Sequence, residues 1–471
     1  MRLLRSPALL LAGFLLASCY HAETLKVAAW KAPAMPDAPA ASVFPELSIP
    51  AIGAKENIGI SFSGGGNRAA VCAMGELRAL RQIGLLSRVR YISSVSGATW
   101  CCGPYCFLQK KEGDGADWVE KADNQFFGPY IPPEKLNLDA LASNVPGSFS
   151  SCAQNSILSL TRYFKLRGDK SWAYVLAGVY LVPLEITKEN HFIAYDEKSA
   201  QSIIARNPDA GLKKDDFLWC PPGRPYLLAG ASFVQPLNFN PATEYYPLEL
   251  TPNYIGARAF FPLGNRRHTL GGGYVESAGY DMAFDRVDSA GAPGRPWIVT
   301  STSRPRGAPS NFRASPRFSL ADLLATSGAA PTVPYPTLAY IVGFPKFTHW
   351  DPGALGVDTP VTHVKIHTDG GGSDNSGVAA LVARGVPRII AFINSQMDLT
   401  TDRNHFPLMP TEVTALFGGA NPTKSEVPWI FPKEEYPALE AAFNDAWKNR
   451  GSPVITTTLT TRENDYYLIP A

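Results

Sequence analysis

Three times along this chain a short apolar run predicts a strand, a turn of small residues follows, and spaced apolar residues predict a helix. The first strand is predicted over residues 58–62, and three consecutive glycines follow it. Gly84 stands where the C-cap glycine of the next helix belongs. One amphipathic face of that helix is predicted from apolar residues that recur every three positions: Val71, Met74, Leu77 and Leu80.

The second unit has a strand predicted over residues 89–95 and a helix from Ala98 onward. Ser96 and Gly97 form the sharp turn between them, an arrangement typical of a nucleophile elbow, which lifts a serine hydroxyl out of a sheet. Ser93 and Ser94 are rival nucleophiles by residue type, but neither precedes a glycine at the turn.

The third unit lies far downstream, where a predicted strand ends at Asp369. Three glycines follow, then a helix through Val378 and a strand over residues 388–393. An aspartate at a strand end, next to glycines that let other backbone approach, is well placed to act as a base. The alternative, an Asp turn or cap, is a frequent role for such a residue.

Composition narrows the class of protein without naming a function. The 471 residues are 45% hydrophobic and 18% charged, which is typical of a globular chain. The net charge of +2 and the absence of a long basic run give no reason to expect a nucleic-acid partner. The sequence has no HExxH, paired CxxC or Walker lysine, so we predict neither a metal nor a nucleotide cofactor.

The N-terminus carries a targeting signal. Two arginines precede an apolar stretch over residues 8–17, which is shorter than the roughly 20 residues of a membrane span and predicts a signal peptide over residues 1–18. The last residues before and including Cys19 resemble a bacterial lipobox, whose cysteine is lipidated. The alternative is an ordinary signal peptide with a chance cysteine. Tyr20, at the position after the cysteine, favours the outer membrane of a bacterial cell envelope.

Two further regions are predicted behind the signal peptide. Residues 19–51 are rich in alanine and proline and are interpreted as a tether, and residues 52–471 as one catalytic domain. Beyond Cys19 the chain has six cysteines, an even number that permits disulfides without assigning them. Cys102 and Cys106 differ from a redox pair by one additional residue between them, so we interpret them as packing cysteines.

The glycine turn suggests a binding role for backbone amides. The N–H groups of Gly65 and Gly66 are expected near the start of a helix, where the helix dipole favours a phosphate or a developing oxyanion. Glycines at consecutive positions have an entropic cost that needs such a reason.

Taken in order, these stretches resemble the catalytic domain of cytosolic (group IV) phospholipase A2 and of fungal lysophospholipases, which are distant relatives of patatin. The resemblance rests on residues 63–69, on Ser96 with Gly97, and on residues 369–371 with Asn375. Residues 245–257 and 320–330 resemble two further segments of that family. The chain departs from the family pattern at Ser94 and Ala98, on either side of the elbow.

The resemblance implies an α/β fold, with a central mixed sheet flanked by helices and an inserted cap region. It implies a catalytic dyad of Ser96 and Asp369, an acyl-serine intermediate, and no cofactor. An oxyanion hole is expected at Gly64, Gly65 and Gly66, and Arg68 is expected to bind the lipid phosphate or the active-site anion. The expected substrate is a membrane phospholipid or lysophospholipid whose acyl ester is hydrolysed.

Other interpretations remain open at this point. The same fold without activity would be a lipid-binding surface lipoprotein, and the same acyl-serine could transfer its acyl group to another acceptor. A Ser–His–Asp triad could be drawn through His367, but the family works without histidine, so we expect a structural role for His367. Asp374 and Asn375 lack the alternating ligands of a calcium loop.

Overall fold

A computed structural model describes residues 23–32, 44–111, 113–135, 148–149, 152, 170–186, 191–235, 244–263, 268–292, 295–303, 317–332, 343–395, 409–419, 427–452 and 454–471. The predicted signal peptide and Cys19 lie outside the described residues. Among the helices of these ranges, none combines the length and the apolar character needed to cross a bilayer.

Twelve strands form one large mixed sheet in the described part of the chain. Their order is β10-β11-β1-β9-β8-β7-β6-β3-β2-β14, and β13 pairs with both β6 and β12. The strands of this sheet are β1 (Thr24–Lys31), β2 (Glu56–Phe62), β3 (Val89–Val95), β6 (Tyr226–Gln235), β7 (Glu244–Leu250), β8 (Tyr254–Leu263), β9 (His268–Glu276), β10 (Ala283–Ser289), β11 (Trp297–Thr302), β12 (Lys346–His349), β13 (His363–Asp369) and β14 (Arg388–Phe392). Two short strands, β4 (Phe192–Ala194) and β5 (Phe217–Trp219), pair separately.

Helices accompany the sheet along the described chain. They are α1 (Pro50–Gly53), α2 (Gly66–Gln82), α3 (Gly97–Phe107), α4 (Trp118–Phe127), α5 (Ser171–Leu176), α6 (Glu197–Arg206), α7 (Leu320–Ser327), α8 (Val378–Ala383), α9 (Thr411–Ala415) and α10 (Tyr436–Arg450). The predicted α/β class, a mixed sheet flanked by helices, is confirmed.

The part of the sheet next to the glycine turn is parallel. Strands β14, β2, β3 and β6 run in the same direction and are followed or preceded by the helices α2, α3 and α8. Parallel strands are buried on both faces and place their carboxyl ends at one edge, where open α/β sheets bind ligands. The predicted elements agree closely here: β3 covers the predicted residues, and β14 ends one residue early.

The predicted tether is wrong in part. Residues Thr24–Lys31 form a strand inside the large sheet, between β11 and β9, because Leu25, Val27 and Ala29 alternate into the core. A second buried anchor follows, where Glu46 accepts a hydrogen bond from Arg384 Nε at 2.9 Å. The folded unit therefore starts well before residue 52, and residues 33–43 between the two anchors lie outside the described residues.

The predicted apolar face of α2 is also wrong in part. Val71 is 44% exposed, whereas Leu77 and Leu80 are buried together with Ala69 and Ala73. A helix turns about 100° per residue, so positions three apart drift around its surface, and Val71 and Leu80 end on opposite sides. Gly84 does follow the helix as predicted, with φ of 70° and its N–H donating to the carbonyl of Arg81 at 2.9 Å.

The described aromatic residues between the elbow and Asp369 are mostly buried, although Tyr130 and Phe260 are exposed. Phe126 and Phe127 are buried at the end of α4, and Tyr245 and Tyr246 are buried in β7. The inserted cap remains a prediction, since residues 136–147 and 153–169 are among those outside the described ranges.

Candidate active site

Two strand ends meet head-on against β6. Strand β3 runs parallel to β6 and ends with Val95 opposite Gly230, while β13 runs antiparallel to β6 and ends with Asp369 opposite Ala231. Strand β7 occupies the other edge of β6, so β3 and β13 must share one edge. Their carboxyl ends therefore point at each other across adjacent positions of β6.

Ser96 is the first residue after β3, and it adopts a backbone conformation that residues other than glycine rarely adopt. Its φ of 54° and ψ of −129° lie in a sparsely populated region that costs of order 1–3 kcal/mol. Its Oγ donates a hydrogen bond to Asp369 Oδ2 at 2.7 Å, and Ser96 is only 6% exposed. The sharp turn predicted at Ser96 and Gly97 is present.

The turn leaves no room for a side chain at Gly97. A Cβ there would lie 1.9 Å from the carbonyl oxygen of Gly66, which is the first residue of α2. The starts of α2 and α3 thus touch backbone to backbone. This contact brings the glycine turn to the side of Ser96.

Asp369 is buried between these elements. Its Oδ1 accepts the N–H of Gly371 at 2.8 Å while Oδ2 accepts from Ser96. Burial raises the pKa of Asp369 to about 6, against the opposing effect of these two hydrogen bonds. At neutral pH the carboxylate is ionised, and its higher basicity favours removal of a proton from the Ser96 hydroxyl.

The three glycines of the first turn differ from one another. The N–H of Gly64 donates to the carbonyl oxygen of Asn375 at 3.0 Å, so this amide is occupied and its predicted donor role is contradicted. Gly65 and Gly66 have φ of 146° and 62°, and within the described part of the chain their N–H groups have no acceptor. Two amides at the start of α2 therefore remain able to bind an anion.

Asn375 lies between the two glycine turns. A Cβ on Gly64 would sit 2.2 Å from its Oδ1, and one on Gly371 would sit 2.9 Å from the same atom. Its Nδ2 donates to Glu412 of α9 at 3.0 Å. The sequence indicated Asn375 only as part of a family motif. It did not predict that the side chain of Asn375 lies between the two turns.

Arg68 lies beside the glycine turn. Its Nη2 donates to the carbonyl of Asn394 at 2.9 Å, and a Cβ on Gly65 would lie 2.4 Å from the same nitrogen. The side chain is half-buried, and its Nε has no hydrogen-bond partner among the described residues. The guanidinium is thus next to Gly65, whose N–H has no acceptor among the described residues.

His367 and Asp374 have structural contacts. The Nε2 of His367 hydrogen-bonds with Tyr280 Oη at 2.5 Å, and its Nδ1 with the carbonyl of Lys365 at 2.9 Å. Asp374 accepts two hydrogen bonds from Ser376 and one from the N–H of Ala379, at the start of α8. These contacts agree with a structural role for His367 and with a capping role for Asp374.

The cysteines near the elbow also have the predicted packing role. Cys102 and Cys106 are completely buried free thiols on α3. Burial raises the pKa of Cys106 to about 12, which suppresses its thiolate.

Sequence reasoning missed one residue that touches the elbow directly. The Oγ of Ser327, the last residue of α7, accepts the N–H of Ser96 at 3.0 Å. The two residues are 231 positions apart, and the sequence signal was limited to the family resemblance of residues 320–330. That resemblance marked the helix but gave Ser327 no role.

Comparison with known proteins gives a short sequence match. No family model matches the chain. A stretch of 39 residues, 8% of this chain, is 54% identical to cytosolic phospholipase A2 zeta from Homo sapiens, of which it covers 5%. The matched protein belongs to the group of enzymes that the motifs resemble.

Solved structures give weak matches. Human GIVD cytosolic phospholipase A2 is 18% identical over 57% of this chain and 27% of its own, with a TM-score of 0.25. Its complex with methyl γ-linolenyl fluorophosphonate and terbium chloride is 15% identical over 68% of this chain and 38% of its own, also with a TM-score of 0.25. The chain therefore spans well under half of these structures, and the fold assignment rests on the strands and helices described above.

Proposed function

We propose that this protein is a serine ester hydrolase that cleaves acyl esters of phospholipids or lysophospholipids. The observation that carries the proposal is the 2.7 Å hydrogen bond from Ser96 Oγ to Asp369 Oδ2, formed at a strained turn beside two amides that have no acceptor among the described residues. A nucleophile, its base and anion-binding N–H groups are the parts that acyl transfer requires.

In the proposed reaction Asp369 takes the Ser96 proton as Oγ attacks the ester carbonyl. The carbonyl oxygen becomes an anion, which the N–H groups of Gly65 and Gly66 bind. When the tetrahedral intermediate collapses, the bond to the leaving alcohol breaks and the Asp369 proton passes to that oxygen. Water then attacks the acyl-serine with Asp369 as base, releasing the fatty acid and returning the proton to Oγ.

The lipid substrate class is supported by chemistry near the dyad and by the sequence match. The Arg68 guanidinium beside the glycine turn suits a phosphate group, which lipids with a phosphoester headgroup carry. The 39 matched residues belong to an enzyme named as a phospholipase A2. We further propose that lipidation of Cys19 holds the enzyme at the outer membrane of a bacterial envelope, close to such substrates.

The proposal is tested by lipid analysis of mixed phospholipid and lysophospholipid vesicles after incubation with the enzyme. We expect fatty acid and deacylated lipid from the wild type, and at least about a 10³-fold loss with Ser96→Ala. Ser93→Ala is the matched control, because Ser93 is a buried serine on β3, three residues before Ser96. Added alcohol acceptors separate hydrolysis from acyl transfer.

Release of no product by folded wild-type protein would contradict the proposal and favour a lipid-binding protein. Equal losses from Ser93→Ala and Ser96→Ala would contradict the assignment of the nucleophile.

A further inference from the structure

Three buried hydroxyl groups, those of Ser94, Thr99 and Ser327, form a series of hydrogen bonds next to the elbow. Ser94 Oγ lies 3.0 Å from Thr99 Oγ1, and Thr99 Oγ1 lies 2.8 Å from Ser327 Oγ. Ser327 Oγ also lies 2.7 Å from the carbonyl oxygen of Gly230 and 3.0 Å from the N of Ser96. All three hydroxyl residues are completely buried.

The direction of each hydrogen bond follows from counting protons. A carbonyl oxygen can only accept, so the single proton of Ser327 goes to Gly230. The two lone pairs of Ser327 Oγ are then left for the Ser96 N–H and for the Thr99 hydroxyl. Since the proton of Thr99 is used on Ser327, Ser94 must donate to Thr99. Each of these three hydroxyl groups therefore donates its proton to one defined acceptor.

Buried contacts fix both ends of α7, the helix that ends at Ser327. The N-terminal end of α7 is fixed by a buried ion pair between Lys170 Nζ and Asp322 at 2.7 Å. At the C-terminal end Ser327 holds the carbonyl of Gly230, the β6 residue opposite the end of β3. The hydroxyl that receives the Ser96 N–H is thus fixed relative to the strand that positions both halves of the dyad.

The Ser96 backbone needs such support. A residue keeps a sparsely populated backbone conformation only where the surrounding structure holds it there. The N–H of Ser96 is bound by Ser327, and its carbonyl accepts the N–H of Thr99 at 3.0 Å. The side-chain bond to Asp369 is the contact that the reaction consumes, so it cannot hold the turn during the reaction.

We propose that Ser327 is a positioning residue, which keeps the Ser96 turn in its reactive conformation through the Ser96 N–H. This inference rests on the proposed function for its kinetic effect. A glycine at position 94, as in the family pattern, would lack the hydroxyl that donates to Thr99.

The test compares Ser327→Ala with Thr326→Val. Thr326 is the preceding residue on α7, is equally buried, and bonds through its hydroxyl to the carbonyl of Asp322 at 2.6 Å, away from Ser96. We expect Ser327→Ala to lower kcat about 30- to 100-fold with KM within threefold, since a small misplacement of reacting atoms costs about that much. The pH midpoint of activity should not move, because Ser327 does not bond to the carboxylate of Asp369.

A second readout does not depend on activity. Hydrogen–deuterium exchange resolved to single residues should show faster exchange of the Ser96 amide in Ser327→Ala, with unchanged exchange in Thr326→Val. Thr99→Val leaves both Ser327 contacts with Ser96 and Gly230 in place, so its kcat should fall by no more than about threefold.

A kcat for Ser327→Ala equal to that of Thr326→Val, or unchanged exchange at Ser96, would overturn the proposal. If Ser327→Ala does not fold, Ser327→Cys, whose sulfur is a weak acceptor, must lower kcat below that of Ser327→Thr, and equality of the two would overturn it. If the wild type hydrolyses no lipid, the proposed function fails, and the exchange measurement still decides whether Ser327 holds the turn.

Discussion

The chain contains three runs of three glycines, and the two that follow a strand serve different physical purposes. In the first, Gly65 and Gly66 have positive φ, and their amides have no acceptor in the described part of the chain. In the second, none of the glycines at residues 370–372 has a positive φ, and they form a 3-10 turn. The same tripeptide of glycines therefore has two different causes. The first turn needs a positive φ, and the second has no room for side chains.

The second turn is glycine-rich because other groups come close. A Cβ on Gly370 would lie 2.4 Å from the carbonyl oxygen of Gly230, and one on Gly372 would lie 2.8 Å from the ring of Tyr245. The N–H of Gly371 is bound to Asp369. This turn binds the buried carboxylate through one N–H, whereas the first turn has two amides with no acceptor among the described residues.

Gly370→Ala should have the largest effect on stability of the changes that separate the two turns. The added carbon meets backbone atoms of β6, which cannot rotate away, so we expect a loss of about 3 kcal/mol in the free energy of unfolding. Urea denaturation measures it. A loss below about 1 kcal/mol would show that space is not the reason for this glycine.

Asp369→Asn should raise stability while it removes activity. The pKa of Asp369 is raised from its ordinary 3.8 to about 6, which corresponds to about 3 kcal/mol. Between these pH values the folded protein holds a proton that the unfolded chain has lost, so stability falls as pH rises toward 6. Asparagine cannot ionise, and the variant should be about 1–3 kcal/mol more stable at pH 8 with little difference at pH 4.

Asp374→Asn is the matched control for that prediction. Asp374 is also buried after the second turn, but its carboxylate accepts three hydrogen bonds from Ser376 and Ala379. Burial raises the pKa of Asp374 as well, but an amide cannot accept all of these hydrogen bonds, so this variant should lose about 1–3 kcal/mol. Denaturation of both variants at pH 4 and pH 8 tests the pair. A destabilised Asp369→Asn at pH 8 would contradict the cost assigned to burial of its charge.

The smallest effects are expected in the first turn and the helix that follows it. A Cβ on Gly66 meets no heavy atom within 4 Å among the described residues, so Gly66→Ala should cost only the left-handed backbone, about 1–2 kcal/mol. Gly66→Asn should cost less, because asparagine tolerates that region. Gly75→Ala, at an exposed helical site with open space, should gain about 0.5–1 kcal/mol. Equal losses from alanine and asparagine at Gly66 would contradict a conformational role.

Local sequence patterns predicted the elements that carry the site. Strand β3, the turn at Ser96, the end of β13 at Asp369 and the strand β14 were all found from short apolar runs and turn residues. Each depends on neighbours within a few positions, which a single sequence displays. The same holds for Gly84, whose role depends on the helix immediately before it.

The errors came from signals that local patterns do not separate. Alanine and proline between residues 31 and 51 suggested a tether, although Leu25, Val27 and Ala29 alternate as a sheet strand does. The pairing of that strand with β11 joins residues some 270 positions apart. Contacts at that range, like the one between Ser327 and Ser96, depend on the topology of the sheet and leave no pattern along the chain.

The occupied amide of Gly64 shows a further limit. Three glycines in a row predict a flexible, anion-binding turn, but they do not tell which N–H groups already have partners. The carbonyl that binds Gly64 belongs to Asn375, which β13 and the second turn bring alongside. The structure of both turns is needed to see that the Gly64 N–H already has an acceptor, which leaves Gly65 and Gly66 as the two candidate donors.

The central claim is that Asp369 acts as the base for Ser96. Its most direct test is the rate at which a fluorophosphonate labels Ser96 as a function of pH. We expect the wild-type rate to rise with a midpoint near pH 6 and to be constant above it, as the carboxylate of Asp369 ionises. Asp369→Asn should label about 10²- to 10⁴-fold more slowly, without that step. Labelling of Asp369→Asn at the wild-type rate, or with the same pH dependence, would contradict the account.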